Sequence, residues 1–131
     1  MLEEGSIMAQ YLFACGCGFV GRYLSRCLLA AGDEVVVLGN LSNSALTKLV
    51  PGCELLEGDV RKPDDVEAAN SSSDVVFHLA AVASVGPSNR RWSKSHHTSQ
   101  SGSAIVFEVA ARSKVGHVVY ASSAAVCGGN A

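Results

Sequence analysis

Three glycines define the chemistry that is easiest to read in this chain. Gly16, Gly18 and Gly21 stand as G-x-G-x-x-G within Gly16-Cys17-Gly18-Phe19-Val20-Gly21. The short apolar run Tyr11-Leu12-Phe13-Ala14-Cys15 precedes them, as a buried strand would. Phe19, Val20, Tyr23, Leu24, Cys27, Leu28 and Ala31 follow at helical spacing, and Gly32 supplies a stop. A strand, a tight glycine turn and a helix make a phosphate cradle. The glycines let the backbone approach a pyrophosphate, and the helix N-terminus presents unpaired N–H groups to it.

Other reactive side chains point nowhere so definite. The five cysteines are Cys15, Cys17, Cys27, Cys53 and Cys127. An odd count without paired C-x-x-C spacing argues against a disulfide framework or a zinc site. Cys15, Cys27 and Cys53 lie in apolar segments, where free cysteine acts as a small hydrophobe, and a reduced, cytoplasmic protein is expected. His96 and His97 are adjacent, face different ways on a regular element and have no third ligand nearby, so no metal is expected. Ser122 and Ser123 are a polar strand end unless the surrounding pattern says otherwise.

The bulk numbers suit one domain. The 131 residues are 48% hydrophobic and 17% charged, with a formal net charge of -2. That balance gives no electrostatic case for nucleic acid or an anionic membrane, and no apolar run is long enough to span a bilayer. Residues 1–10 read as a native leader or an added tag, not as a signal peptide.

Strand and helix signals alternate along the rest. Glu34–Leu38, Cys53–Glu57, Asp74–Leu79 and His117–Ala121 read as further strands, apolar enough for a parallel sheet covered on both faces. Pro63, Asp64 and Asp65 open a short helix. Ile105, Val106, Val109 and Ala110 mark the buried stripe of a later one. The alternation predicts a doubly wound α/β sheet, Rossmann-like, with strand order 3-2-1-4-5. Residues 87–103, rich in Ser, Asn, Arg and His, leave a loop, a weak helix and disorder all open. Arg90 and Arg91 there read as solvated.

Five segments, in order, resemble the extended short-chain dehydrogenase/reductase family, the group of NAD-dependent sugar-nucleotide epimerases and dehydratases. They are Cys15–Gly21, Glu34–Ser44, Gly58–Arg61, Val76–Ala81 and Val118–Val126, within a resemblance that runs from Tyr11 to Gly129. It implies a dinucleotide cofactor, NAD or NADP with NAD slightly favoured. Gly16, Gly18, Phe19, Val20 and Gly21 match the pyrophosphate turn. Gly39, Asn40, Asn43 and Ser44 match positions around the adenosine ribose and phosphate. Asp59 and Val60 match the pair that meets adenine, the carboxylate accepting from the exocyclic amine. Leu79, Ala80 and Ala81 match the strand end beneath the nicotinamide half, and Ala121 and Ser122 lie at the next strand end. Ser123 matches the hydroxyl that orients the reacting group of a substrate.

Departures from the family pattern carry expectations of their own. The first glycine of the family's G-x-x-G-x-x-G falls on Cys15, where a Cβ crowds the turn if φ is positive. The acid that would bond the ribose hydroxyls falls on Gly39, with no arginine at once replacing it. Ser99 stands where the family has an asparagine, and Cys127 where it has a tyrosine. The family's catalytic Tyr-x-x-x-Lys occurs nowhere in these residues, since Tyr120 lies inside a strand with Ala124 four positions on. The expectation is a dinucleotide-binding domain of 11–131, catalytically incomplete and without a substrate domain. The alternatives are a non-catalytic sensor or interaction module, or a fragment of a complete epimerase or reductase. The strand His117–Ala121 would be an open edge, so a homodimer is expected.

Overall fold

A computed structural model describes residues 7–15, 17–40, 48–79, 92–122 and 128–129, with the side chains of Lys94 and Ser95 excepted. Five parallel strands form one sheet: β1 (Gln10–Ala14), β2 (Glu34–Gly39), β3 (Glu54–Glu57), β4 (Val75–His78) and β5 (His117–Tyr120). Their order is β3-β2-β1-β4-β5, as the alternation of signals predicts. Helix α1 (Phe19–Ala30) links β1 to β2, and α2 (Pro63–Ala69) links β3 to β4. A short α3 (Trp92–His96), a π-helical turn (His97–Ser101) and α4 (Gly102–Arg112) precede β5.

Strand periodicity divides the core in two. Leu12, Ala14, Val36, Leu38 and Val76 face Val66 and Ala69 of α2 and Val106, Val109 and Ala110 of α4. Phe13, Val35, Val37 and Phe77 face the other way, onto Leu24, Leu28 and Leu29 of α1. Phe13 and Phe77 stack across β1 and β4 with ring centroids 4.8 Å apart. Arg112 of α4 and Glu67 of α2 pair on the surface.

Several expectations need correction. β3 and β5 are not covered on both faces: β3 is exposed at both ends, and Val119 and Tyr120 of β5 are exposed. These strands are the sheet edges, and an edge gains less cover than the centre. The stripe expected for α1 is only half right. Phe19, Val20, Tyr23 and Cys27 face solvent, whereas Gly21 and Ser25 are buried, because the small residues let the helix seat closely on the sheet. Phe19 and Tyr23 pack edge to face on the outer surface, 5.2 Å between centroids. In the segment left open, 92–101 are helical and Trp92 is exposed. Arg90 and Arg91 lie outside the described residues. The His96 and His97 rings meet edge to face at 5.9 Å, closer than neighbours on a regular element suggest.

The stop after α1 forms as read. Gly32 has φ +90°, its N–H donates to Leu29 O at 3.1 Å, and Asp33 N–H donates to Leu28 O at 3.1 Å. β1 ends one residue before Cys15 because Cys15 turns to φ +72°. That is the left-handed conformation glycine adopts freely, and it costs an L-residue on the order of 1–2 kcal/mol. Cys15→Gly relieves this cost against some added chain entropy and a lost thiol contact, so unfolding stability should rise by about 0.5–1 kcal/mol. Cys15→Ser keeps the Cβ and should bring no gain. Urea unfolding of both variants checks this.

Candidate functional site

The carboxyl ends of the strands lie in one row. Beyond the strands the ladder continues: Cys15 N–H to Leu38 O at 2.8 Å, Gly58 N–H to Gly39 O at 3.1 Å, Leu79 N–H to Ala14 O at 2.9 Å and Ala121 N–H to His78 O at 3.1 Å. The described residues of the expected site, Gly18, Phe19, Val20, Gly21, Gly39, Asn40, Asp59, Val60, Leu79, Ala121 and Ser122, thus belong to one rim. Gly16, Asn43, Ser44, Ala80, Ala81 and Ser123 lie outside the described residues. β1 is flanked by β2 and β4, and the crevice between oppositely directed connections is where open α/β sheets bind ligands.

At the first turn of α1, Gly18 is the N-cap with φ -73° and ψ 178°, and its carbonyl accepts from Arg22 N–H at 3.0 Å. Among the described residues, a Cβ built on Gly18 would meet only Cys15 O, at 3.8 Å. The fold itself therefore leaves room for a side chain there, and the bare backbone suits a close-approaching anion. The first turn carries no acidic residue and the cap no side-chain hydrogen bond. Arg22 Nε is buried without a hydrogen-bond partner, so positive character is left at this end of the helix. Burial pushes the Cys15 and Cys17 thiols up, against which the Arg22 charge pulls Cys17 back. Both therefore rest as thiols.

At the ends of β2 and β3, Asp59 is the fixed point. Its own N–H donates to Asp65 Oδ2 at 2.8 Å, and its Oδ1 accepts from Arg61 N–H at 2.9 Å. Arg61 Nε lies 2.9 Å from both carboxylate oxygens, and Arg61 Nη2 donates to Oδ2. These bonds from Arg61, helped by Asn40, hold the Asp59 carboxyl down at about 2. Gly58 N–H donates to Gly39 O of β2, Asp59 N–H to Asp65 of α2, and Arg61 and Lys62 N–H to Asp59 itself, whereas Val60 N–H has no acceptor among the described residues. Gly39 borders this turn, and a Cβ there would meet nothing within 4 Å among the described residues.

His78 ends β4, only 4% exposed. The Ser103 hydroxyl donates to Ser99 O, so it accepts from His78 Nε2–H at 2.7 Å. The ring is thereby set as the Nε2–H tautomer, with Nδ1 buried and unpartnered. Burial lowers the His78 pKa below its usual 6.5. The unfolded chain takes up a proton below about 6.5 that the folded ring resists, so stability should fall as pH drops through that value. His78→Gln, whose amide nitrogen can donate to Ser103, should flatten this slope in urea unfolding between pH 7.5 and pH 5.5.

Arg61, Arg22 and Ser103 are site residues that the sequence reading left without a role. Asp-x-Arg was a usable signal for the first, since an aspartate commonly bonds the backbone two residues on. The described residues contain no group of three or more His, Cys, Asp or Glu able to hold a metal ion.

Residues 15–131 match the NAD dependent epimerase/dehydratase family. The UDP-glucose 4-epimerase of Neisseria meningitidis serogroup B is 34% identical over 130 residues, covering 92% of this chain and 38% of that protein. A probable UDP-arabinose 4-epimerase of Arabidopsis thaliana is 32% identical over 138 residues, covering 96% of this chain and 33% of that protein. The solved UDP-glucose 4-epimerase of Brucella ovis in complex with NAD superposes with a TM-score of 0.85 at 26% identity, covering 94% of this chain and 38% of that chain. The Thermus thermophilus UDP-glucose 4-epimerase complexed with NAD gives 0.82 at 30% identity, covering 87% and 37%. The chain thus spans little more than a third of the length of these relatives.

Proposed function

Because the chain belongs to the NAD dependent epimerase/dehydratase family, we propose that these residues bind a dinucleotide across the row of strand ends. One observation carries the reading: among the described residues every amide of the Asp59–Lys62 turn except that of Val60 has an acceptor, which leaves Val60 N–H, beside an ionised Asp59, for a base. That pair matches adenine, whose ring nitrogen accepts and whose exocyclic amine donates. The pyrophosphate falls to Gly16, Gly18, Phe19, Val20 and Gly21 with Arg22 beside them. Gly39, Asn40, Asn43 and Ser44 border the ribose. Leu79, Ala80, Ala81, Ala121 and Ser122 underlie the nicotinamide half, and Ser123 orients a substrate hydroxyl. A bound dinucleotide would supply a nicotinamide able to take and give back a hydride at a sugar carbon. Relatives named as UDP-sugar 4-epimerases support a nucleotide sugar as the substrate class. The 131 residues contain no Tyr-x-x-x-Lys, so they bind without turning substrate over by themselves.

NAD is the favoured cofactor, with weak discrimination against NADP because Gly39 offers neither an acceptor nor a repelling charge. Calorimetric titration with NAD, NADH, NADP and NADPH tests the reading. Saturable binding of NAD supports it, and heats no larger than dilution for all four contradict it. No helix among the described residues is long and apolar enough to cross a membrane, and the cytoplasm is the proposed location.

Self-association is part of the proposal. Among the described residues β5 has no partner strand on its outer edge, and Val119 is 47% exposed and Tyr120 61%. An open apolar edge pairs readily with a second chain. Light scattering should report a mass of two chains that falls on dilution. A monomer persisting at high concentration would refute edge pairing.

A further inference from the structure

We propose that Arg61 is a positioning residue for base recognition: it fixes the plane of the Asp59 carboxylate so that the site selects an amino purine over an oxo purine. The inference rests on the reading that Asp59 meets the base. An aspartate carboxylate turns freely about its last bond unless something holds it, because that torsion is broad and two-fold. Here Arg61 holds it from one side with three N–H groups. Its backbone N–H reaches Oδ1 at 2.9 Å, its Nε bridges both oxygens at 2.9 Å, and its Nη2 reaches Oδ2. The backbone of Asp59 is fixed as well, through Asp65 Oδ2 at 2.8 Å. Gly58 permits that approach, since a Cβ on it would lie 3.0 Å from Asp65 Oδ2 and 2.9 Å from Leu38 Cδ1.

Two consequences follow from the chemistry of the pair. An ionised carboxylate only accepts hydrogen bonds, so it welcomes an exocyclic amine and repels an oxo group placed at the same point. The selection is sharp only while the carboxylate stays put. Arg61 also cancels the charge of Asp59, which removes a repulsion between that carboxylate and an anionic dinucleotide. The Asp59 side chain is 12% exposed and that of Arg61 38%, so the carboxylate is screened from water on the guanidinium side. A fork of this kind belongs to arginine, because lysine offers a single point charge.

The test compares NAD with nicotinamide hypoxanthine dinucleotide, in which an oxo group replaces the amine. Affinities are measured by calorimetry on the unmodified chain, Asp59→Asn, Arg61→Gln and Arg61→Lys, with urea unfolding as the check on folding. The unmodified chain should prefer NAD by about 10-fold or more, as a hydrogen bond to a charged group allows. Asp59→Asn should erase the preference. Arg61→Gln should erase most of it, and Arg61→Lys should restore part. If Asp59→Asn erases the preference and both Arg61 variants keep it in full, Arg61 does not position the carboxylate, though Asp59 still reads the base. Equal losses for both dinucleotides in the Arg61 variants also overturn the proposal, since selection is then untouched. If Asp59→Asn keeps the preference, or the unmodified chain has none, the underlying reading fails and the proposal falls with it.

Discussion

Gly18→Val should abolish dinucleotide binding while leaving the fold intact. The two effects are separable because of where Gly18 sits. Its φ of -73° is open to any residue, and the nearest atom to an added Cβ is Cys15 O at 3.8 Å. Nothing among the described residues requires a glycine. The close approach of a pyrophosphate to the backbone does. A branched side chain at the head of α1 would hold the phosphates away from the N–H groups of the first turn. Losing charge-assisted bonds worth about 1.5–3 kcal/mol each should weaken binding on the order of 100-fold or more. Gly18→Ala places one methyl group in the same space and should fall between the two. Circular dichroism with calorimetry separates a binding defect from unfolding. Undiminished binding by a folded Gly18→Val chain would put the phosphates elsewhere.

Gly39→Asp should move the affinities for NAD and NADP in opposite directions. A Cβ at this position meets nothing within 4 Å among the described residues, and the residue ends β2 in the row of strand ends. An aspartate there could accept from the ribose hydroxyls of NAD, for a gain of about 1.5–3 kcal/mol, or roughly 10- to 100-fold in affinity. The same carboxylate would repel a 2′-phosphate. Glu57, the register partner of Gly39 on β3, adds a like charge that trims the gain for NAD. Titrations with both cofactors on parent and variant give the ratio directly. Parallel changes for the two would remove Gly39 from the ribose.

The strand order was legible because it depends on alternation. β-Branched runs separated by helical segments permit few arrangements, and right-handed crossovers leave one. Which strands are edges follows from that order and not from composition, so His117–Ala121 was legible as an open edge although its apolar residues alone suit a covered strand, and Val119 and Tyr120 are indeed exposed. The seating of α1 was misread in part. Hydrophobic periodicity points to Phe19 and Tyr23 as well as to Leu24 and Leu28, but only the leucines, with Leu29, pack on the sheet, beside the small buried residues Gly21 and Ser25. The strain at Cys15 was visible from the sequence, because the family glycine it replaces carries a conformational meaning. The link between His78 and Ser103 was not, since it joins residues 25 apart through a π-helical turn that no sequence pattern announced.

Amide NMR shift mapping during an NAD titration tests the binding site most directly. The account predicts saturable shifts at Gly18, Phe19 and Val20 and at Asp59, Val60 and Arg61. The Val60 N–H should move strongly as it gains an acceptor. The opposite end of the sheet, around Gln10, Glu34 and Asp74, should stay still. Shifts confined to that opposite end, or none at saturating NAD, would contradict a dinucleotide site at the carboxyl ends of these strands.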